Sequence, residues 1–124
     1  MDTTAGLKFV EAMERAVGAG DRAAALRYLT DDVVYVVGAR PALSGVDAVI
    51  AYAVEQGRLA RWNGHTLRGA WAGEGALVIE VESQFTRVAD GRPISLPCTD
   101  IYRFRDGRIC DWRVFADMSP FYAP

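Results

Sequence analysis

A chain of 124 residues with a net charge of −2, 51% hydrophobic and 24% charged, has the size of one ordinary domain and a globular composition. That balance lacks the basic excess that attracts nucleic acid or an anionic membrane, so both are disfavoured as partners. The opening residues Met1 to Thr4 carry neither a basic region nor an apolar run, and no later stretch has the apolar length of a bilayer span, so a cytoplasmic location is expected.

Residues 1–124 are expected to form a single domain that begins with helices. Thr3 or Thr4 can cap a first helix whose apolar positions Leu7, Val10, Met13 and Val17 recur at three- and four-residue intervals, up to Gly18-Ala19-Gly20. Asp21 caps a short second helix through Ala25, Leu26 and Leu29, and Thr30-Asp31-Asp32 is read as a turn into a strand at Val33–Val37. A loop holding Pro41 follows. Ser44 then precedes a third helix with Val46, Val49, Ile50, Ala53 and Val54 on its inner face, interrupted at Gly57.

From His65 onward the pattern turns to strands, roughly 65–72, 76–88, 93–104 and 108–116, divided by Gly73-Glu74-Gly75, Asp90-Gly91 and Asp106-Gly107. Helices followed by a meander predict an α+β fold, with the helices on one face of a mostly antiparallel sheet. Register decides which side chains meet them. A two-residue turn at Asp90-Gly91 pairs Ala89 with Arg92 and puts Leu77, Ile79, Val81, Ser83 and Phe85 on the face of Leu96, Cys98, Asp100 and Tyr102. A three-residue loop at Arg105-Asp106-Gly107 brings Cys110, Trp112, Val114 and Ala116 to the same face. In that register Cys98 and Cys110 lie too far apart for a disulfide, and with one His in the chain no ligand set of zinc spacing exists, so no metal is expected.

Along the strand from Ile94 to Phe104, Asp100 is the only charge on the inward face. Burial penalises its ionised form, so it must either find hydrogen-bond donors or hold its proton toward neutral pH, the range useful for acid–base chemistry. Both readings stand at this point: a catalytic carboxyl, or a structural one bonded to Tyr35, Tyr102, Trp112 or water.

The segments "AGD", "LTDDVVY", "LSGVDAVIAY" and "YRFRDGRICDWRVFAD" resemble the SnoaL-like branch of the nuclear transport factor 2-like superfamily over nearly the whole chain. The resemblance implies a cone-shaped α+β barrel, three N-terminal helices packed on a strongly curved, mostly antiparallel sheet that encloses an apolar pocket. It also implies polyketide cyclase, ketosteroid isomerase or limonene-epoxide hydrolase chemistry. Asp100 matches the position of the isomerases' protonated aspartate, whereas their base and oxyanion tyrosine match Val37 and Met13, which cannot act so. The hydrolases' Asp-Arg-Asp set falls at Ser83, Val81 and Val114, with Tyr35 and Val37 at the water-holding positions.

What this leaves is Asp100 as a cofactor-independent general acid and base in an apolar, aromatic pocket, suited to a cyclase or isomerase acting on an apolar, carbonyl-rich metabolite. Tyr35 and His65 are its candidate helpers, His65 as a relay on the face it shares with Leu67 and Trp71. Met13, Val37, Trp62, Val81, Ser83, Cys98, Tyr102, Trp112 and Val114 are the candidate substrate-binding wall. Glu80, Glu82 and the loose basic group Arg58, Arg61 and Arg68 are read as solvated, and Arg113 as an ion-pair or interface residue. Two further readings compete: a cone-fold protein that only binds a small molecule or dimerises, and an epoxide hydrolase. Homodimerisation through the outer sheet face is a further implication of the resemblance.

Overall fold

A computed structural model describes residues 1–124. Three helices, α1 (Thr3–Gly18), α2 (Arg22–Ala25) and α3 (Val46–Leu59), pack on strands β1 (Leu29–Val37), β2 (Leu43–Ser44), β3 (Ala60–Gly73), β4 (Ala76–Arg87), β5 (Pro93–Arg105) and β6 (Arg108–Phe115). The strands form one sheet in the order β2-β1-β6-β5-β4-β3, antiparallel throughout except that β1 runs parallel to β6. This is the expected α+β architecture. No helix is long and apolar enough to cross a membrane.

The helices form where periodicity places an apolar stripe, and their ends differ in detail from expectation. Asp2 caps α1, accepting from the Ala5 N–H at 2.8 Å, one residue before the predicted threonines. Asp21 caps α2 as predicted, accepting from the Ala24 N–H at 3.1 Å. Gly45 rather than Ser44 precedes α3, with no side-chain cap, and α3 runs through Gly57 to Leu59 while Val54 is exposed. Val10, Met13 and Val17 of α1 and Val49 of α3 join Leu77, Tyr102 and Ile109 of the sheet in the main core. Each such fully buried side chain contributes about 1.5–3 kcal/mol through removal from water.

The sheet departs from the predicted turns and registers in four places. Thr30, Asp31 and Asp32 continue β1 instead of turning, because the aspartates point outward, where Arg105 meets Asp32 at 2.5 Å and Arg108 approaches Asp31 at 4.0 Å. At Asp90-Gly91 the hairpin closes on Arg87 and Arg92 around a four-residue loop, with Gly91 N–H donating to the Arg87 carbonyl at 2.8 Å. The loop is organised by Asp90, which accepts from the Arg92 N–H and from the guanidinium of Arg87. The pairing therefore slides by two residues, which preserves the predicted faces: Leu77 meets Tyr102, Ile79 meets Asp100 and Val81 meets Cys98.

The last hairpin reaches the predicted face by another route. Asp106 and Gly107 alone form the turn, both with positive φ (52° and 77°), and Arg105 pairs with Arg108. Such a turn by itself would aim Asp111 inward, but an extra residue at Cys110 bulges the strand between the Phe104–Ile109 and Arg103–Asp111 pairs. Alternation is thereby inverted, and Trp112 and Val114 turn inward. Both cysteines remain free.

In β3, bulges between Trp62 and Gly64 and between Leu67 and Gly69 have the same effect. Trp62, His65 and Leu67 share the inward alternation with Ala70, opposite Phe85, Ser83, Val81 and Ile79. Trp71, predicted to share the face of His65, instead pairs with Val78 on the outer face, where its ring lies over Gly69. Glu80 and Glu82 lie on that outer face as expected, and Arg113 there holds Asp111 at 3.0 Å.

Candidate functional site

Between α1, α3 and the concave side of the sheet lies a cavity of about 270 Å³. Its walls are apolar and aromatic. Tyr35 stacks against Trp112 with ring centroids 4.3 Å apart, Trp112 against Tyr102 at 5.5 Å, and Tyr52 of α3 meets the edge of Tyr35 at 5.5 Å. Trp62 and His65 lie side by side at 5.8 Å on β3. After β6 the chain turns through Ser119–Phe121, a short 3₁₀ helix, and Met118 and Phe121 close the remaining side. That segment is held by Arg87, whose buried guanidinium donates to the carbonyls of Pro120 and Ala123.

Of the residues expected at the site, Asp100, Tyr35, His65, Val37, Trp62, Val81, Ser83, Cys98, Tyr102, Trp112 and Val114 all border this cavity. Met13 does not. It is fully buried in the core between α1 and the sheet, and the next residue, Glu14, faces the cavity instead. His65 is exposed and stands at the rim.

Asp100 is flanked in the sheet by Ile79 and Val114, so its lateral neighbours cannot pair with it. Its partners come from its own strand: the Tyr102 hydroxyl donates to Oδ2 at 2.8 Å and the Cys98 thiol to Oδ1 at 3.1 Å. Burial raises the Asp100 pKa, against the pull of hydrogen bonds from Cys98, Tyr102 and the Trp112 side, and of the His65 imidazole. The Trp112 N–H lies on that side without completing a hydrogen bond; Nε1 is buried and unpartnered. Tyr52 Oη and Gln56 Oε1, on the α3 wall, are unpartnered as well.

Glu14 went unrecognised in the sequence. Burial, then the charges of Asp100 and Glu11, push its pKa up to about 8, with the Tyr102 hydroxyl pulling the other way. Its position carried a signal: Glu14 follows Val10 by four residues and precedes Val17 by three, on the apolar stripe of α1. No Lys or Arg borders the cavity, so neither carboxyl has a permanent cation beside it. The same burial pushes the Tyr35 and Tyr102 hydroxyls and the Cys98 thiol upward, so all three stay neutral donors. No three His, Cys, Asp or Glu side chains converge to hold a metal ion.

A family model, the SnoaL-like domain, matches residues 10–112. The chain belongs to the SnoaL-like family. The matched span runs from α1 to β6 and includes Glu14, Tyr35, Asp100 and Trp112. Among solved structures, an NTF2-like protein of Burkholderia xenovorans LB400 superposes with a TM-score of 0.80 at 15% identity, covering 98% of this chain and 96% of that one. A protein of Jannaschia sp. CCS1 proposed to be a SnoaL-like polyketide cyclase gives 0.77 at 16% identity, with 94% and 90% covered. A proposed isomerase of Rhodopseudomonas palustris gives 0.76 at 19%, with 92% and 90% covered. At such identities these likenesses speak for the fold of this SnoaL-like chain. No curated protein matches it.

Proposed function

We propose that this SnoaL-like protein is a cofactor-independent cyclase or isomerase that acts on an apolar, carbonyl-rich, polyketide-like metabolite, with Asp100 as general acid and base. The observation that carries the reading is Asp100 itself: a carboxyl with a raised pKa and no cationic partner, opening into an aromatic cavity. As carboxylate it takes a proton from the carbon beside a carbonyl, and the C–H electron pair becomes the enolate. As acid it returns that proton to another carbon, completing an isomerisation, or to the oxygen of a second carbonyl that the enolate carbon has attacked, completing a ring closure. Tyr35 and Trp112 hold the substrate plane against the sheet, and His65 at the rim exchanges protons with solvent. The names given to the Jannaschia and Rhodopseudomonas proteins agree with this class of chemistry.

A substrate surrogate tests it. The protein is expected to accelerate deuterium uptake at C1 of 2-tetralone, a compact bicyclic ketone, and Asp100→Asn is expected to lose at least about a hundredfold of that acceleration. Equal rates for the two proteins, with 2-tetralone bound by both, would leave a binding protein. Incorporation of labelled water into an opened epoxide, with no ketone exchange, would favour the hydrolase reading. The outer sheet face, where Trp71 and Phe115 are exposed, is read as the seat of a second copy of the chain.

A further inference from the structure

We infer that Glu14 is a second catalytic carboxyl, the acid to Asp100's base. The inference rests on the reading of Asp100 as the base of a carbonyl reaction and adds a residue that this reading does not use. Glu14 enters the cavity from α1 and Asp100 from β5, so the two carboxyls approach a bound molecule from different sides. Tyr102 donates to Asp100 at 2.8 Å. The two carboxyls border one cavity of about 270 Å³ whose other walls are largely apolar, with Tyr35, Tyr102 and Trp112 beside them. A carbonyl oxygen that meets Glu14 in this cavity would receive its proton.

The groups facing the pair are Glu11 from α1, Tyr52 from α3, Tyr35 from β1, His65 from β3, and Cys98 and Tyr102 from β5. None is an Arg or Lys that would fix either carboxyl in its charged form. Burial and the neighbouring acids therefore keep the Glu14 proton in place up to a pH of about 8. Two interacting carboxyls whose affinities differ divide the labour of acid and base.

The step balances with no co-reactant. Asp100 carboxylate removes the α-proton, the C–H pair forms the enolate, and the enolate carbon attacks a second carbonyl carbon. That carbonyl's π pair moves to its oxygen, which takes the Glu14 proton. Asp100 is now the acid and Glu14 the carboxylate. When the product leaves, Asp100 gives its proton to solvent water at the cavity mouth and Glu14 takes one from it, and the site is reset.

Two measurements test this. In protein labelled with ¹³C at its carboxyl carbons, the Glu14 signal is expected to titrate near pH 8 and to shift down by about one unit in Asp100→Asn, which removes the neighbouring charge. A Glu14 already ionised at pH 7, or a midpoint unmoved by the substitution, overturns the pairing of the two carboxyls. In the 2-tetralone exchange, Glu14→Gln is expected to slow deuterium uptake at least about tenfold at pH 7 and to abolish the decline of rate above pH 8. Wild-type rates with the alkaline decline intact overturn the acid role while sparing Asp100. A wild-type protein without any exchange defeats the reading of Asp100 as well, a separate result from the failure of Glu14 alone.

Discussion

The hydroxyl of Tyr102 reaches Asp100 Oδ2 over 2.8 Å from two residues farther along the same strand. The pleat of β5 puts both side chains on the inward face, so the pair is fixed by local geometry and does not depend on how separate elements dock. Tyr102→Phe removes a donor to the charged form of Asp100, and the Asp100 pKa must therefore rise further. The acid limb of the pH–rate profile for 2-tetralone exchange is expected to move to higher pH, and the protein to lose about 1–3 kcal/mol by denaturant titration. An unmoved acid limb would mean that the bond does not govern Asp100.

Glu14 gives the fold a pH dependence of definite sign. Its folded pKa, about 8, lies above the unfolded value of 4.5, so between these values the native state holds a proton that the unfolded chain has released. Stability contributed by this group is complete below the lower value, falls as pH rises, and carries its full penalty above the upper one. Unfolding free energies measured from pH 5 to pH 9 are expected to decline for the wild type, and Glu14→Gln to flatten that decline. Parallel curves would place Glu14 in water.

The turn after β5 demands a left-handed backbone at Gly107, φ 77°. Gly107→Ala is expected to destabilise by about 1 kcal/mol, since an L side chain is strained there. Gly73, with ordinary φ and nothing within 4 Å of an added side-chain carbon, should accept alanine at little cost or a small gain. Midpoints of urea unfolding compare the two, and equal effects would contradict the positional argument.

Trp71 and Phe115, 56% and 55% exposed, stand on the outer side of the sheet. Sedimentation at micromolar concentration is expected to give a dimer for the wild type and a monomer for Trp71→Glu. A monomeric wild type would rule out this face as a self-association surface at that concentration.

The helices were legible because a 3.6-residue stripe of apolar side chains leaves few alternatives, and the inward set around Asp100 followed from strict alternation in β4 and β5. What alternation cannot reveal is an inserted residue. The bulges at Cys110 and before Gly69 each invert every side chain beyond them, which is why Trp112 reached its predicted face through an unpredicted turn while Trp71 left its own. Glu14 was passed over because a glutamate in a helix usually faces water; its phase among Val10 and Val17 was the contrary sign. Thr30-Asp31-Asp32 carries turn-like composition, yet it stays extended between the β6-paired residues Leu29 and Val34, with Arg105 and Arg108 against its aspartates. Arg87 gave no sequence signal, since its role depends on a segment more than thirty positions away.

That arginine separates the two ends of the cavity in origin. The floor, with Asp100 and Tyr102, belongs to the central strands and cannot change without disturbing the ladder. The wall formed by Met118 and Phe121 belongs to a short appended turn, held by Arg87 of β4, by Arg40 and Arg92, and by the packing of Phe121 on Phe85. Lengthening, shortening or re-sequencing that turn would alter the size of molecule the cavity admits while leaving Asp100 and Tyr102 where they are, so cavity size and carboxyl placement have separate structural origins.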